Sequence, residues 1–382
     1  MDTTTNRRVF LATAAAPILG ANDQPAFAII GTGSRGRWLH GAFQNLDARC
    51  VAVCDVYEPN LELARKASPA SARAYTDFRQ MLEQQGIDFV VIATPDHQHC
   101  PNLVAALEAG RDVYIEKPLS MNLEESGRMV AAVRTGKQIV QVGMQRRSME
   151  FIRQAKKFID DDGLGKISMV KAMWNWHFTL PLDNSPLEGK IDWEGFLGPA
   201  PRRPLEPMRF RWWRGFWDYS GGNMTDQGTH LMDVVQWMTN SGPPRSAICN
   251  GKVTLAPGAE VPNVFTAVFD YPEFVATWTL NYRSSQDWDW SITFQGEKAA
   301  MVLDRKGMRV YKDFGASGQP WTLKQMPELT LERPDTDKPE AHPKNFLECI
   351  RTRREPNCTV EIAAAAVAGP HMANVAYRRG AV

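Results

Sequence analysis

Two stretches of this chain hold residues whose types and spacing could do chemistry. In Gly221-Gly222-Asn223-Met224-Thr225-Asp226-Gln227-Gly228-Thr229-His230, the aspartate and the histidine stand four apart. If the helix that runs on through Leu231–Met238 already includes Asp226, both side chains share one helical face. A carboxylate beside an imidazole raises its proton affinity and orients it, as general-base work requires. The same spacing also suits an exposed charge pair or two ligands of a metal, and the residues alone leave these readings open. In Val113-Tyr114-Ile115-Glu116-Lys117-Pro118, a lysine ends a short apolar run. At the carboxyl end of a parallel strand Lys117 would stand where open α/β sheets bind ligands. By itself it is equally a solvated surface lysine.

A third stretch points to a cofactor. Gly31-Thr32-Gly33-Ser34-Arg35-Gly36 is a G-x-G-x-x-G between the apolar run Ala26–Ile30 and a helical pattern. There Gly31 permits a tight turn, Gly33 lets backbone approach a pyrophosphate, and Gly36 lets helix pack on strand, with the helix N-terminus facing the anion. Asp55 ends the next apolar run, 19 residues after Gly36. A carboxylate there accepts hydrogen bonds from adenosine-ribose hydroxyls and repels a 2′-phosphate, so NAD is expected in preference to NADP.

These residues need elements to position them. Apolar runs at 26–30, 50–54, 89–93, 113–115 and 139–142 alternate with helical patterns at 35–43, 60–66, 102–109 and 123–134. Short runs buried on both faces and alternating with helices predict an α/β Rossmann domain with a doubly wound parallel sheet over residues 26–146. After Gly165 the order changes to consecutive runs at 167–178, 247–255, 264–271, 275–282, 288–294 and 299–303, several joined by tight turns. That predicts an α+β second domain with a mostly antiparallel open sheet over 147–382, closed by helices at 343–353 and 361–378.

The whole composition is that of a globular protein of two domains. The 382 residues are 43% hydrophobic and 23% charged, and 44 Lys+Arg against 43 Asp+Glu leave a net charge of +1. No electrostatic case for nucleic acid follows. The six cysteines form no framework, because Cys50 and Cys54 on one strand lie about 13 Å apart and the others lack metal-ligand spacing. No metal is expected. Residues 1–25 read as a twin-arginine export signal or a tail: Asn6-Arg7-Arg8-Val9-Phe10-Leu11 precedes the apolar run Ala12–Ala21. A periplasmic or exported location follows from the first reading and a cytoplasmic one from the second. No stretch is long enough to span a membrane. Trp174, Asn175, Trp176 and His177, with Arg211, Trp212, Trp213, Arg214, Trp217, Asp218 and Tyr219, mix aromatic faces with hydrogen-bonding heads. That mixture suits a sugar, cyclitol or related polyol, or else cements a long loop or a subunit contact.

The chain resembles the Gfo/Idh/MocA family of oxidoreductases from Ala26 nearly to its C-terminus. The resemblance rests on Gly31–Gly36, Ala93-Thr94-Pro95-Asp96-His97-Gln98-His99, Glu116-Lys117-Pro118, Gly143-Met144-Gln145-Arg146-Arg147 and Asp226-x-x-x-His230. It implies Lys117, Asp226 and His230 as the catalytic group, with a cis Lys117–Pro118 bond. It implies Thr94, Pro95, His99, Glu116, Lys117 and Gln145 on the cofactor, beside Gly31, Gly33, Ser34, Arg35, Gly36 and Asp55. Arg147, Trp176, His177, Asp226 and His230 are expected on the substrate, and a homo-oligomer through the second domain's sheet is expected too. The N-terminal segment adds a likeness to exported members of the glucose-fructose oxidoreductase kind, for which tightly held NAD is expected. Hydride transfer at a sugar, cyclitol or polyol hydroxyl is the activity implied. Two other classes stay open: an NAD-dependent glycoside hydrolase working by transient oxidation and elimination, and a non-catalytic NAD-binding regulator.

Overall fold

The computed structural model describes residues 24–177, 182–254, 258–284, 286–312 and 327–380. The export-signal reading concerns residues 1–25 and lies almost wholly outside them. Six strands build the first sheet: β1 Ala26–Ile30, β2 Arg49–Cys54, β3 Arg73–Tyr75, β4 Phe89–Ile92, β5 Asp112–Ile115 and β6 Val140–Val142. All pair in parallel, in the order β3-β2-β1-β4-β5-β6. The chain therefore leaves β1 toward one edge and returns to start the other half at β4. The crevice at that reversal is where open α/β sheets take ligands.

Alternation along each strand divides its side chains between two cores. Phe27, Ile29, Phe89, Val91 and Tyr114 face one side, with Leu39 and Phe43 of the helix Ser34–Asn45. Ala28, Ile30, Val90, Ile92, Val113 and Ile115 face the other, with Leu103, Ala106 and Met129. Phe27 and Ala28 are buried completely in β1.

The second sheet contains β7 Ile167–Asn175, β8 Ser246–Lys252, β9 Val264–Asp270, β10 Val275–Asn281, β11 Asp289–Gly296, β12 Ala299–Asp304, β13 Gly307–Lys312 and β14 Leu329–Glu332. Its order is β14-β13-β12-β11-β7-β10-β9-β8, antiparallel except for the β7–β10 pair. Val170, Ala172, Trp174, Ala267, Phe269, Trp278, Ile292 and Phe294 line its inner face against Phe151 and Ile152 of the helix Glu150–Asp160 and Leu231–Val235 of the helix Gly228–Thr239. The two expected strands 167–178 and 247–255 stop earlier, at Asn175 and Lys252. β3, β13 and β14, at three to six residues, were too short or too polar to read from alternation.

The closing helices reach both domains, since Ala373 of the last one packs in the second domain's core. Phe346, Leu347 and Ile350 of the helix Ala341–Thr352 pack with Phe27 and Phe89. Val360, Ala363 and Val367 of the helix Val360–Arg379 pack with the opposite face. Apolar periodicity shows that these helices are amphipathic but cannot show which sheet they cover.

The connection from β7 to the second domain's helices also crosses over. Tyr57 bridges Ile191, Glu58 N–H donates to the Lys190 carbonyl at 2.9 Å, and Asp192 N–H donates to the Val56 carbonyl at 2.8 Å. His97 Nε2 and Gln98 Nε2 both donate to the Phe196 carbonyl, at 2.7 and 2.9 Å. The aromatic-rich stretch is thereby fastened to the carboxyl ends of β2 and β4.

Candidate active site

The glycine turn is built as its spacing requires. Gly31 has φ +84°, and a Cβ there would lie 2.8 Å from the backbone of Ala93 and Thr94. A Cβ on Gly36 would lie 1.9 Å from the Gly31 carbonyl oxygen. Gly33 differs, since its Cβ would meet only Asn60, at 4.0 Å, leaving that backbone open for a ligand. The helix Ser34–Asn45 begins there with no side-chain cap and no acidic residue in its first turn. Its free N–H groups thus face the crevice as an anion seat. These features fit a dinucleotide pyrophosphate. Asp55 is 8% exposed. It accepts from Thr32 N–H at 2.7 Å, Thr32 Oγ1 at 3.0 Å and Tyr57 N–H at 2.9 Å. Its carboxylate therefore fastens the turn as well as lining the crevice.

One cleft of about 780 Å³ unites the two domains. Its lining includes Gly31, Gly33, Ser34, Arg35, Asp55, Thr94, Pro95, Glu116, Lys117 and Gln145 from the first domain and His230 from the second. Aromatic walls come from Trp38 and Phe78 and, on the crossing segment, Phe196, Phe210 and Trp213. Arg35 Nη2 pairs with Glu116 at 2.7 Å and its guanidinium stacks 4.3 Å from Trp38.

The Lys117–Pro118 bond is cis. Lys117 Nζ donates to Asp226 Oδ1 at 2.6 Å and to the Asp226 carbonyl at 3.0 Å. Asp226 ends a short helix, Gly222–Asp226, and Gln227 carries the helical course into the next, so Asp226 and His230 do share a face. The hydrogen bonding differs from the expected one. Asp226 is held by Lys117 and by Arg214 Nε at 3.3 Å, while His230 Nδ1 is buried without a partner among the described residues. Burial pushes the Asp226 carboxyl up, but Arg214 and Lys117 outweigh it and hold it well below the usual carboxylate range. His230 moves the other way from the expectation. Burial, with Lys117 and Arg146 adding to it, holds the imidazole well below its ordinary value despite Asp226, so it is neutral near pH 7.

Asp96 is a cleft residue without an assigned role in the sequence reading, although it stands inside the quoted Thr94–His99 segment. It is 1% exposed and accepts from Ser220 Oγ at 2.7 Å. Burial and the nearby Asp226 carboxylate push it up to about 7. Its signal was a carboxylate right after the Thr94-Pro95 end of a parallel strand. Gln98 and Asn60 are further cleft residues that were given no site role, whereas Arg211, Trp213 and Arg214 of the expected sugar-contact set do line it.

Six expected site residues are not among those lining this cleft: Asp226, which stands behind Lys117, and His99, Arg147, Trp176, His177 and Gly36. His99 is buried, with Nδ1 2.7 Å from the Pro118 carbonyl and Nε2 3.0 Å from the Thr94 carbonyl, so it braces the backbone on which Lys117 sits. Arg147 Nε pairs with buried Asp233 at 2.7 Å and stacks on Trp237. Trp176 stacks on Tyr282, with ring centres 5.5 Å apart, and exposed His177 bridges Arg283. Gly36, packed against Gly31, acts through the turn. Among the described residues no group of three or more His, Cys, Asp and Glu is arranged to hold a metal, and no helix is long and apolar enough to cross a membrane.

Comparison with known proteins agrees with this construction. A family model described as "Oxidoreductase family, NAD-binding Rossmann fold" matches residues 26–144, and one described as "GFO/IDH/MocA C-terminal domain" matches residues 152–302. Over 148 residues the chain is 33% identical to an inositol 2-dehydrogenase/D-chiro-inositol 3-dehydrogenase of Halalkalibacterium halodurans, covering 38% of this chain and 42% of that one. It is 30% identical over 161 residues to the levoglucosan dehydrogenase of Pseudarthrobacter phenanthrenivorans, covering 41% of each. The chain thus spans about two fifths of the length of these curated relatives. Among solved structures, the WlbA dehydrogenase of Bordetella pertussis in complex with NADH and UDP-GlcNAcA superposes with a TM-score of 0.71 at 23% identity, covering 94% of this chain and 98% of that one. That last likeness is one of fold.

Proposed function

This chain belongs to the Gfo/Idh/MocA family of oxidoreductases, and from that premise we propose that it transfers a hydride between NAD and a hydroxyl-bearing carbon of a sugar, cyclitol or related polyol. The observation that carries the reading is a single cleft lined both by the glycine turn and by Lys117 and His230 from different domains. When bound, the nicotinamide supplies the capacity to accept or return a hydride. The chain's own residues supply the proton chemistry. Lys117, ion-paired with Asp226, donates a hydrogen bond to the reacting oxygen and stabilises its alkoxide character. Neutral, buried His230 takes up the hydroxyl proton. Asp226 orients the lysine rather than the histidine. Phe210, Trp213, Arg211 and Arg214 offer rings and donors that suit the apolar faces and hydroxyls of a cyclic polyol. The test is to supply NAD with inositols, levoglucosan and aldoses and follow reduced nicotinamide. Reduction by at least one of them, abolished in His230→Ala, is expected. No reduction with any of them overturns the reading.

A second reading, glycoside cleavage through transient oxidation and elimination, is favoured by one residue. Asp96, pushed up to about 7, is a carboxyl that is half protonated near neutrality and so could protonate a leaving oxygen. Release of aglycone from a glycoside without added cofactor, lost in Asp96→Asn, would favour it over simple oxidation. We further infer a homo-oligomer through the outer face of the second sheet, on which Ile248 is 64% exposed, and export by the twin-arginine route with NAD retained.

A further inference from the structure

A segment from beyond the first domain crosses the cofactor crevice and is tied down on both sides of it. In the first sheet β2 and β4 flank β1, and the glycine turn follows β1. On the β2 side, Tyr57 bridges Ile191, Asp192 N–H donates to the Val56 carbonyl at 2.8 Å, and the Glu58 carboxylate accepts from Lys190 N–H at 3.0 Å. On the β4 side, Gln98 Nε2 donates to the Gly195 and Phe196 carbonyls, each at 2.9 Å, and His97 Nε2 donates to the Phe196 carbonyl at 2.7 Å. Local sequence fits the segment to these ties. Asp192 caps the helix Trp193–Leu197, accepting from Gly195 N–H at 2.9 Å. Gly198, at φ +49°, ends that helix so close to Gln98 that a Cβ would stand 2.3 Å from the Gln98 amide nitrogen. Phe196 is 3% exposed, with its ring centre 5.3 Å from that of His97 and 4.9 Å from that of Trp193.

A segment held at the ends of β2 and β4 must pass the end of β1 that lies between them. Gly195 and Phe196 accordingly line the same cleft as Gly31, Gly33 and Asp55. A dinucleotide with its pyrophosphate at Gly33 and its adenosine at Asp55 lies beneath this crossing, and the ties on one side or the other must break before the segment can lift. Such a cover slows entry as well as exit, whereas added contacts to the cofactor slow exit alone. We propose that residues 190–196 are a strap closed over the bound dinucleotide, and that its opening sets the rate at which cofactor enters and leaves. This rests on the reading of the crevice as a dinucleotide site, and it holds in whichever compartment the protein resides.

The hydrogen bonds that flank Tyr57 and Ile191 make them a non-hydrogen-bonded antiparallel pair, whose α-carbons stand about 4.5 Å apart and so within disulfide reach. Neither residue lines the cleft. The experiment staples the strap there: a full-length Tyr57→Cys, Ile191→Cys variant is loaded with NADH while reduced, oxidised, and chased with excess NAD, with bound-nicotinamide fluorescence giving the release rate. Uptake of NADH is followed in the same way on protein oxidised before loading. Oxidation should slow release and uptake by at least about tenfold each, with dithiothreitol restoring both and the wild-type rates unmoved by either treatment. Gly198→Ala, which drives a methyl into the Gln98 tie, should speed both by about tenfold while Kd stays within about threefold. Unchanged rates in the stapled protein overturn the inference, as do paired thiols that fail to bridge or a folded Gly198→Ala protein that speeds release alone. Absence of NADH binding by the wild-type protein overturns the cofactor reading itself, and the strap with it.

Discussion

Lys117 Nζ touches Asp226 twice, at the carboxylate oxygen 2.6 Å away and at the backbone carbonyl 3.0 Å away. One lysine therefore ties the carboxyl end of β5 to a helix of the other domain. Lys117→Met should leave NAD binding within about threefold of wild type, because the glycine turn is untouched, and reduce turnover by at least about a hundredfold. Cofactor titration and steady-state rates check this. Turnover near wild type would remove the lysine from the mechanism.

Gly33 and Gly36 should separate binding from folding. A Cβ on Gly33 meets nothing closer than 4.0 Å, so Gly33→Ala should melt within about 2 °C of wild type. The methyl group would stand where backbone must approach the pyrophosphate, and NAD should bind about tenfold more weakly or worse. Gly36→Ala drives a methyl into the Gly31 carbonyl oxygen, and its melting temperature should fall by more than about 3 °C. Equal melting of the two variants would contradict the distinction.

Asp55 holds Thr32 and also faces the crevice, so its loss should act on both stability and cofactor choice. Wild-type protein should bind NAD more tightly than NADP, and Asp55→Ala should narrow that ratio by about tenfold while lowering the melting temperature. Arg37, whose guanidinium donates to the Thr32 carbonyl and to Asn60, stands near enough to greet a phosphate once the carboxylate is gone. Tighter binding of NADP by the unmutated protein would refute the assignment.

Asp96 makes the protein's stability depend on pH with a definite sign. Its folded value, about 7, exceeds the unfolded one, so across that window the native state holds a proton that the unfolded state has released. Stability from this group therefore falls as pH rises from about 4 to about 7 and is level above that. Asp96→Asn cannot ionise, so its melting temperature should gain on wild type progressively across that window and by a constant amount beyond it. A gap that does not change with pH would mean that Asp96 is ionised in the folded protein.

The paired arginines at the N-terminus predict a change of compartment. If residues 1–25 direct twin-arginine export, an Arg7→Lys, Arg8→Lys double variant should stay in the cytoplasm while the parent reaches the periplasm with NAD still bound. Fractionation and cofactor release on denaturation measure both. An unchanged distribution would make the segment a tail.

Much of the site was legible because local constraints write themselves into adjacent residues. Gly31, Gly33 and Gly36 stand out since only glycine tolerates those backbone approaches, and Lys117 stands out because a strand must end before it. Short continuous apolar runs alternating with helical patterns indicated the parallel sheet, and close-set runs the antiparallel one. Other features depend on residues far apart in the chain, and no local pattern records them. Nothing around Phe346 or Val367 says that the first helix covers the first sheet and the second lies between the two domains, since an apolar stripe names no partner. The spacing of Asp226 and His230 put them on one face, but only the fold brought Lys117 and Arg214 to that carboxylate and left the imidazole buried and neutral. Charge states of Asp96 and His230 are likewise set by burial and by neighbours from other elements. The sequence by itself determined which groups could do chemistry and on which elements they ride. Tertiary structure decided which of them meet and in what state of protonation, because desolvation and pairing are properties of the assembled interior, where distant segments replace water.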